Sequence, residues 1–132
     1  MKFKNLPSSF LNSLFISDCF DCDKIEIKFS NDAKDKQGWL AGIYEATAPV
    51  NGFPAWISGS KAIWKRGGQW IFGSASDIGS GYRNIISNDD TECPHEVSSW
   101  HVYSSSGSID VTSSDVSIEC YEFIGKTNFL KN

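Results

Sequence analysis

The sequence predicts a mainly β fold, a single antiparallel β-sandwich or barrel-like meander of about 7–9 short strands with little helix. Three observations carry this. Aromatic residues make up 14% of the 132 residues, with 9 Phe, 5 Trp and 4 Tyr, and such rings pack well on a pleated surface. Eleven glycines and several Ser-rich stretches punctuate the chain at short intervals. Apolar residues recur with period two rather than with the 3.6-residue period of a helix. The length fits one domain, divided here into an N-terminal segment (1–22), a β domain (23–124) and a C-terminal tail (125–132).

The elements follow in order. Lys2 and Lys4 ahead of Phe10, Leu11, Leu14, Phe15 and Ile16 have the outline of a secretory signal. Asn12 and Ser13 interrupt the apolar stretch, however, and no small-x-small cleavage site follows before Asp18, so an amphipathic segment packed on the sheet is the preferred reading. Lys24 to Phe29 alternates, placing Ile25, Ile27 and Phe29 on one face of a strand. Residues 30–38 are polar and end in Gly38, which reads as a solvated loop leading to a strand from Trp39 to Ala46. Asn51-Gly52 suits the two positive φ angles of a type I′ turn and sets Ala48 against Ala55. With Pro49 and Pro54 lacking amide donors, pairing beside this turn is expected to be loose or to lie at a sheet edge.

Residues 53–74 are the most informative. Turns at Ser58–Lys61 and Arg66–Gln69 divide them into three strands of a meander. Counting outward from Gly67-Gly68 pairs Trp64 with Ile71 and Ile63 with Phe72; counting outward from Gly59-Ser60 pairs Trp56 with Ile63 and Ala55 with Trp64. One face therefore carries Trp56, Ile63 and Phe72, and the other Ala55, Trp64 and Ile71. A ribbon apolar on both sides is either sandwiched or leaves a face for a partner. Residues 73–92 read as a long loop around a brief strand at Ile85-Ile86, and the runs 100–103 and 111–122 supply the last strands.

Net charge is -4 with no Lys/Arg run, which excludes a phosphate-backbone partner such as nucleic acid. No apolar run approaches the roughly 20 residues of a membrane span. Cys19, Cys22, Cys93 and Cys120 allow three pairings, among which sequence does not choose. Cys19 and Cys22 form C-x-x-C, but the alternating strand that follows is not the helix of a thioredoxin-like unit, and no second C-x-x-C completes a zinc site. Disulfides are therefore expected, against the plainer alternative of buried thiols. If the strand opening at Cys22 pairs antiparallel with the one closing at Cys120, those two cysteines clasp the chain ends.

The order Gly42-Ile-Tyr-Glu45, Asn51-Gly-Phe-Pro-Ala-Trp56, Ala62-Ile-Trp64, Trp70-Ile-Phe-Gly73, Cys93-Pro94, Trp100 and Ile118-Glu-Cys120 resembles a small aromatic module of extracellular animal proteins. The likeness covers residues 38–120. It implies a disulfide-bearing β module of a secreted adhesive or recognition protein, with Cys93 and Cys120 at family-like positions and Cys19 additional to the pattern.

Catalytic and cofactor motifs are weak. Ser58-Gly-Ser-Lys61 has S-x-x-K spacing but stands in a hairpin turn rather than on a helix. His95 and His101 lack a G-x-S-x-G partner and read as a loop and a strand residue. Asn88 to Glu92 holds three carboxylates without the spacing of a calcium loop, and the Gly73 to Gly81 stretch matches no phosphate-binding pattern, so no metal or cofactor is expected. No N-x-[ST] sequon occurs. The aromatic surplus points instead to recognition. Trp64, with Arg66, Gln69, Tyr82 and Arg83 near it, is the candidate ligand-binding set, an aromatic plane beside amide and guanidinium donors that suits a sugar ring or a partner protein. The expected function is a non-catalytic extracellular binding or adhesion module for carbohydrate or protein. A small secreted enzyme using a His/Ser or His/carboxylate site is the alternative, and a purely structural interaction domain the third.

Overall fold

Nine antiparallel strands form a single sheet in the computed structural model, which describes Cys19 and residues 22–121. They are β1 (Lys24–Phe29), β2 (Gly42–Val50), β3 (Phe53–Ser58), β4 (Lys61–Arg66), β5 (Gln69–Ser74), β6 (Ile85–Ser87), β7 (Ser99–Val102), β8 (Ile109–Thr112) and β9 (Val116–Cys120). The spatial order is β8-β7-β6-β5-β4-β3-β2-β1-β9, so every strand pairs with its neighbour in sequence except the last, which returns to lie beside the first. The sheet edges β8 and β9 are separated in sequence by Ser113–Asp115 alone, and the sheet curls into a nearly closed barrel. The amphipathic first segment and the tail expected from sequence lie outside the described residues.

The meander register agrees with the turn counting. Trp56 faces Ile63, Ile63 faces Phe72 and Trp64 faces Ile71. The interior face holds Trp56, Ile63 and Phe72 with Ile25, Ile27, Tyr44, Trp70, Ile85, Trp100, Val102 and Val116. Phe72 meets Phe29 and Trp100 edge to face, at 5.8 and 5.2 Å between centroids, the arrangement that ring quadrupoles favour. The opposite face of β3–β5 carries a second, smaller cluster of Ala55, Ala62, Trp64 and Ile71, joined by Ile86.

Three expectations are corrected. Asn51 and Gly52 do take positive φ (55° and 85°) and Val50 does face Phe53, but a bulge follows, so Ala55 faces Thr47 and not Ala48. The prolines explain it: with no amide to donate at Pro49 or Pro54, the ladder loses its hold there and the register slips. Residues 30–38 are not a loop. Asn31–Gln37 form a helix, α1, followed by a 3-10 turn at Gly38–Leu40, so Trp39 precedes β2 instead of opening it. Only Ala33 and Gln37, one helical turn apart, are buried on α1, and Ala33 joins Leu40 in the interior cluster. Finally, the run 111–122 divides at the Ser113–Asp115 turn into the end of β8 and β9.

Two disulfides choose one of the three pairings: Cys22–Cys120 and Cys19–Cys93, with Cα separations of 5.8 and 5.6 Å. The expected clasp of the chain ends is present, since β1 pairs antiparallel with β9 and the Tyr121 amide donates to the Lys24 carbonyl at 2.7 Å. Paired cysteines indicate an oxidising, extracellular-type environment. No helix among the described residues is long and apolar enough to cross a membrane.

Candidate functional site

The segment between β5 and β6 builds the site. A 3-10 turn at Ala75–Asp77 starts its return across the outer face of β3–β5, where Ala75 and Ile78 pack on the second apolar cluster. The Ala75 amide donates to the Ser60 carbonyl and the Asn84 amide to the Phe72 carbonyl, fixing both ends of the segment. Its middle is held by Trp64, whose indole Nε1 donates to the Ser80 carbonyl at 2.9 Å. Gly73 lets the two approach: a Cβ there would stand 3.1 Å from the Trp64 ring.

Trp64 is therefore not the exposed platform expected from sequence. It is 0% exposed, covered by the segment it anchors, and no ligand reaches its ring. Gln69 is half-buried, and its side-chain amide donates to the Ser87 carbonyl at 3.1 Å. The other three expected residues do come together. Tyr82, 74% exposed, projects from the tip of the segment. Arg83 lies along Tyr103 of the strand end beyond β7, its guanidinium 5.1 Å from the ring centroid, Nε donating to the phenol oxygen at 3.2 Å and Nη1 to the Gly81 carbonyl at 3.1 Å. Arg66 reaches the same point from the end of β4, its Nη1 2.6 Å from where a Cβ on Gly81 would stand.

Gly81, Tyr82, Arg83 and Tyr103 line an open groove of about 170 Å³. Sequence reasoning missed Gly81 and Tyr103. The signal for Tyr103 was present: Trp100 and Val102 face the interior, so His101 and Tyr103 must face out. The His101 ring meets Tyr103 edge to face at 4.6 Å, and its Nδ1 lies 2.8 Å from Asp110 Oδ1. Hydrogen bonds from His101 and from the Asn88 amide hold the Asp110 carboxyl below its ordinary range. An outer strip thus runs from Arg66 through Tyr82, Arg83 and Tyr103 to His101 and Asp110.

The arrangement offers ring faces and fixed donors. His101 does not line the groove, and His95 is exposed on the Pro94–Glu96 turn. Lys61 of the S-x-x-K spacing donates to the carbonyls of Trp39 and Ala41, with Ser58 and Lys61 paired across the hairpin turn. Among the described residues no group of three or more His, Cys, Asp or Glu side chains is placed to hold a metal ion. No family model, curated protein or solved structure matches the chain.

Proposed function

We propose that the protein is a non-catalytic, extracellular-type binding or adhesion module and that the Tyr82–Arg83–Tyr103 groove takes a carbohydrate. The observation that carries this reading is an exposed phenol ring beside a guanidinium already held in place on a second aromatic ring. Aromatic faces match the apolar faces of a sugar ring, and fixed N–H donors meet its hydroxyls. A groove of about 170 Å³ lined by four residues is of a size to take one sugar ring or the end of a chain. The two disulfides and the likeness to secreted aromatic modules support placement outside the cell.

A glycan-array screen of the oxidised protein beside its Tyr82→Ala and Tyr103→Ala variants tests the proposal. Retention on a defined group of glycans, lost in both variants while thermal unfolding is unchanged for Tyr82→Ala, is the expected result. Absence of retention on any glycan, or retention indifferent to both substitutions, refutes it. The protein-ligand reading is favoured only if a defined protein partner is then lost on Tyr82→Ala.

A further inference from the structure

We infer that the saccharide taken by this groove is anionic, a sugar bearing a carboxylate or a sulfate; the inference rests on the carbohydrate reading above. Two guanidiniums converge on one residue without side chain. Arg83 Nη1 donates to the Gly81 carbonyl at 3.1 Å, and Arg66 Nη1 lies 2.6 Å from the position a Gly81 Cβ would fill. A side chain at this position would collide with the Arg66 guanidinium, so glycine is what lets Arg66 lie against the residue that Arg83 holds from its carbonyl side. Among the described residues neither arginine is in an ion pair; the carboxylates that are paired, Glu45, Asp90 and Asp110, serve Lys24, Lys65 and His101.

None of the four groove-lining residues is acidic, although acidic residues outnumber basic ones by 16 to 12 in the whole chain. A local cationic point on a net anionic surface focuses potential at the groove and turns away polyanions that do not fit it. Guanidinium presents two parallel N–H donors that match the two oxygens of a carboxylate or sulfate, geometry that a neutral hydroxyl uses poorly. Arg83 is also ordered in advance, since Nε and Nη1 are held by Tyr103 and Gly81, so less side-chain freedom is lost when the anion arrives. Tyr82 then supplies the face on which the sugar ring rests.

The test is calorimetric titration of the oxidised full chain with matched pairs: glucuronate against glucose, and N-acetylglucosamine 6-sulfate against N-acetylglucosamine. Inorganic sulfate alone forms a further arm. At least one charged sugar is expected to bind tenfold or more tightly than its neutral partner, with the advantage shrinking as NaCl is raised. Which pair shows it distinguishes carboxylate from sulfate. Arg83→Gln and Arg66→Gln each reduce the charged-sugar affinity toward the neutral level, while Lys28→Gln, an exposed cation on β1, leaves it unchanged. Equal binding of charged and neutral sugars overturns the anion preference and leaves the carbohydrate reading standing. Inorganic sulfate binding as tightly as the sulfated sugar also overturns it, and binding of no saccharide at all refutes the carbohydrate reading itself.

Discussion

Trp64→Ala separates a structural tryptophan from a ligand-binding one. The indole is fully buried on the outer face of β3–β5 and holds the Ser80 carbonyl, so its removal opens a cavity, frees a hydrogen-bond acceptor and unpins the segment that carries Tyr82 and Arg83. Truncation of a buried Trp costs about 3–5 kcal/mol. Against a total stability of order 5–15 kcal/mol for a chain of this size, that is about a fifth or more. Urea unfolding of the oxidised protein, followed by tryptophan fluorescence, is expected to lose about 3–5 kcal/mol, with a fall in Tm of about 10–20 °C. Trp64→Phe fills most of the cavity and forfeits mainly the hydrogen bond and the outer ring, for about 1–2 kcal/mol. The two variants thus rank in a definite order. A Trp64→Ala protein within about 0.5 kcal/mol of the parent would refute the argument, because no exposed or loosely covered residue costs what a buried anchor does.

Other outcomes follow from the same geometry. Replacing both Cys22 and Cys120 by Ser is expected to lower stability by about 2–5 kcal/mol, since a crosslink spanning 98 residues restrains the unfolded chain strongly; peptide mapping of the parent should recover the Cys22–Cys120 and Cys19–Cys93 links and no other pairing. Asp90→Asn removes the carboxylate 2.8 Å from the Lys65 ammonium, a cation otherwise held by the Thr91 carbonyl and the Phe53 ring, and should cost about 1–3 kcal/mol, more than Lys65→Met, which removes the buried charge with its partner; the reverse order in urea unfolding refutes this. Because the Asp110 carboxyl is held low by its partners, its contribution is present above the ordinary carboxylate pKa of about 3.9 and is lost as pH falls through the lowered value. Asp110→Asn is therefore expected to flatten the dependence of unfolding free energy on pH on the acid side of the ordinary carboxylate range, and equal slopes in parent and variant count against the pairing.

Most of the strand plan was legible because short turns state their own register. Two glycines at 67 and 68 leave one way to align Lys61–Arg66 with Gln69–Ser74, and the alternation then sorts Trp56, Ile63 and Phe72 from Ala55, Trp64 and Ile71. What covers each face was not legible. The segment between Ser74 and Ile85 has no periodicity, so its return over Trp64 follows from packing that only the folded chain displays. The helix α1 was hidden for a related reason: a stripe made of Ala33 and Gln37 is too thin to rise above a polar background, and Gln37 earns its burial through a hydrogen bond from its amide to the Tyr103 carbonyl. Of the groove, Tyr82 and Arg83 could be suspected from composition. Alternation with Trp100 and Val102 turns Tyr103 outward, but that it meets Arg83 beside Gly81 required knowing which chain segments come together.

The clasp between Cys22 and Cys120 has a mechanical consequence. Tension applied to the chain on either side of the domain passes from Cys19 along three peptide links to Cys22, crosses the sulfur bridge to Cys120 and leaves at Tyr121. The strands hang from this path as a closed loop and carry none of the load. Pulled by its ends, the oxidised domain lengthens by only a few residues' worth of chain and keeps its groove in shape, whereas reduction transfers the whole force to the hydrogen bonds between β1 and β9.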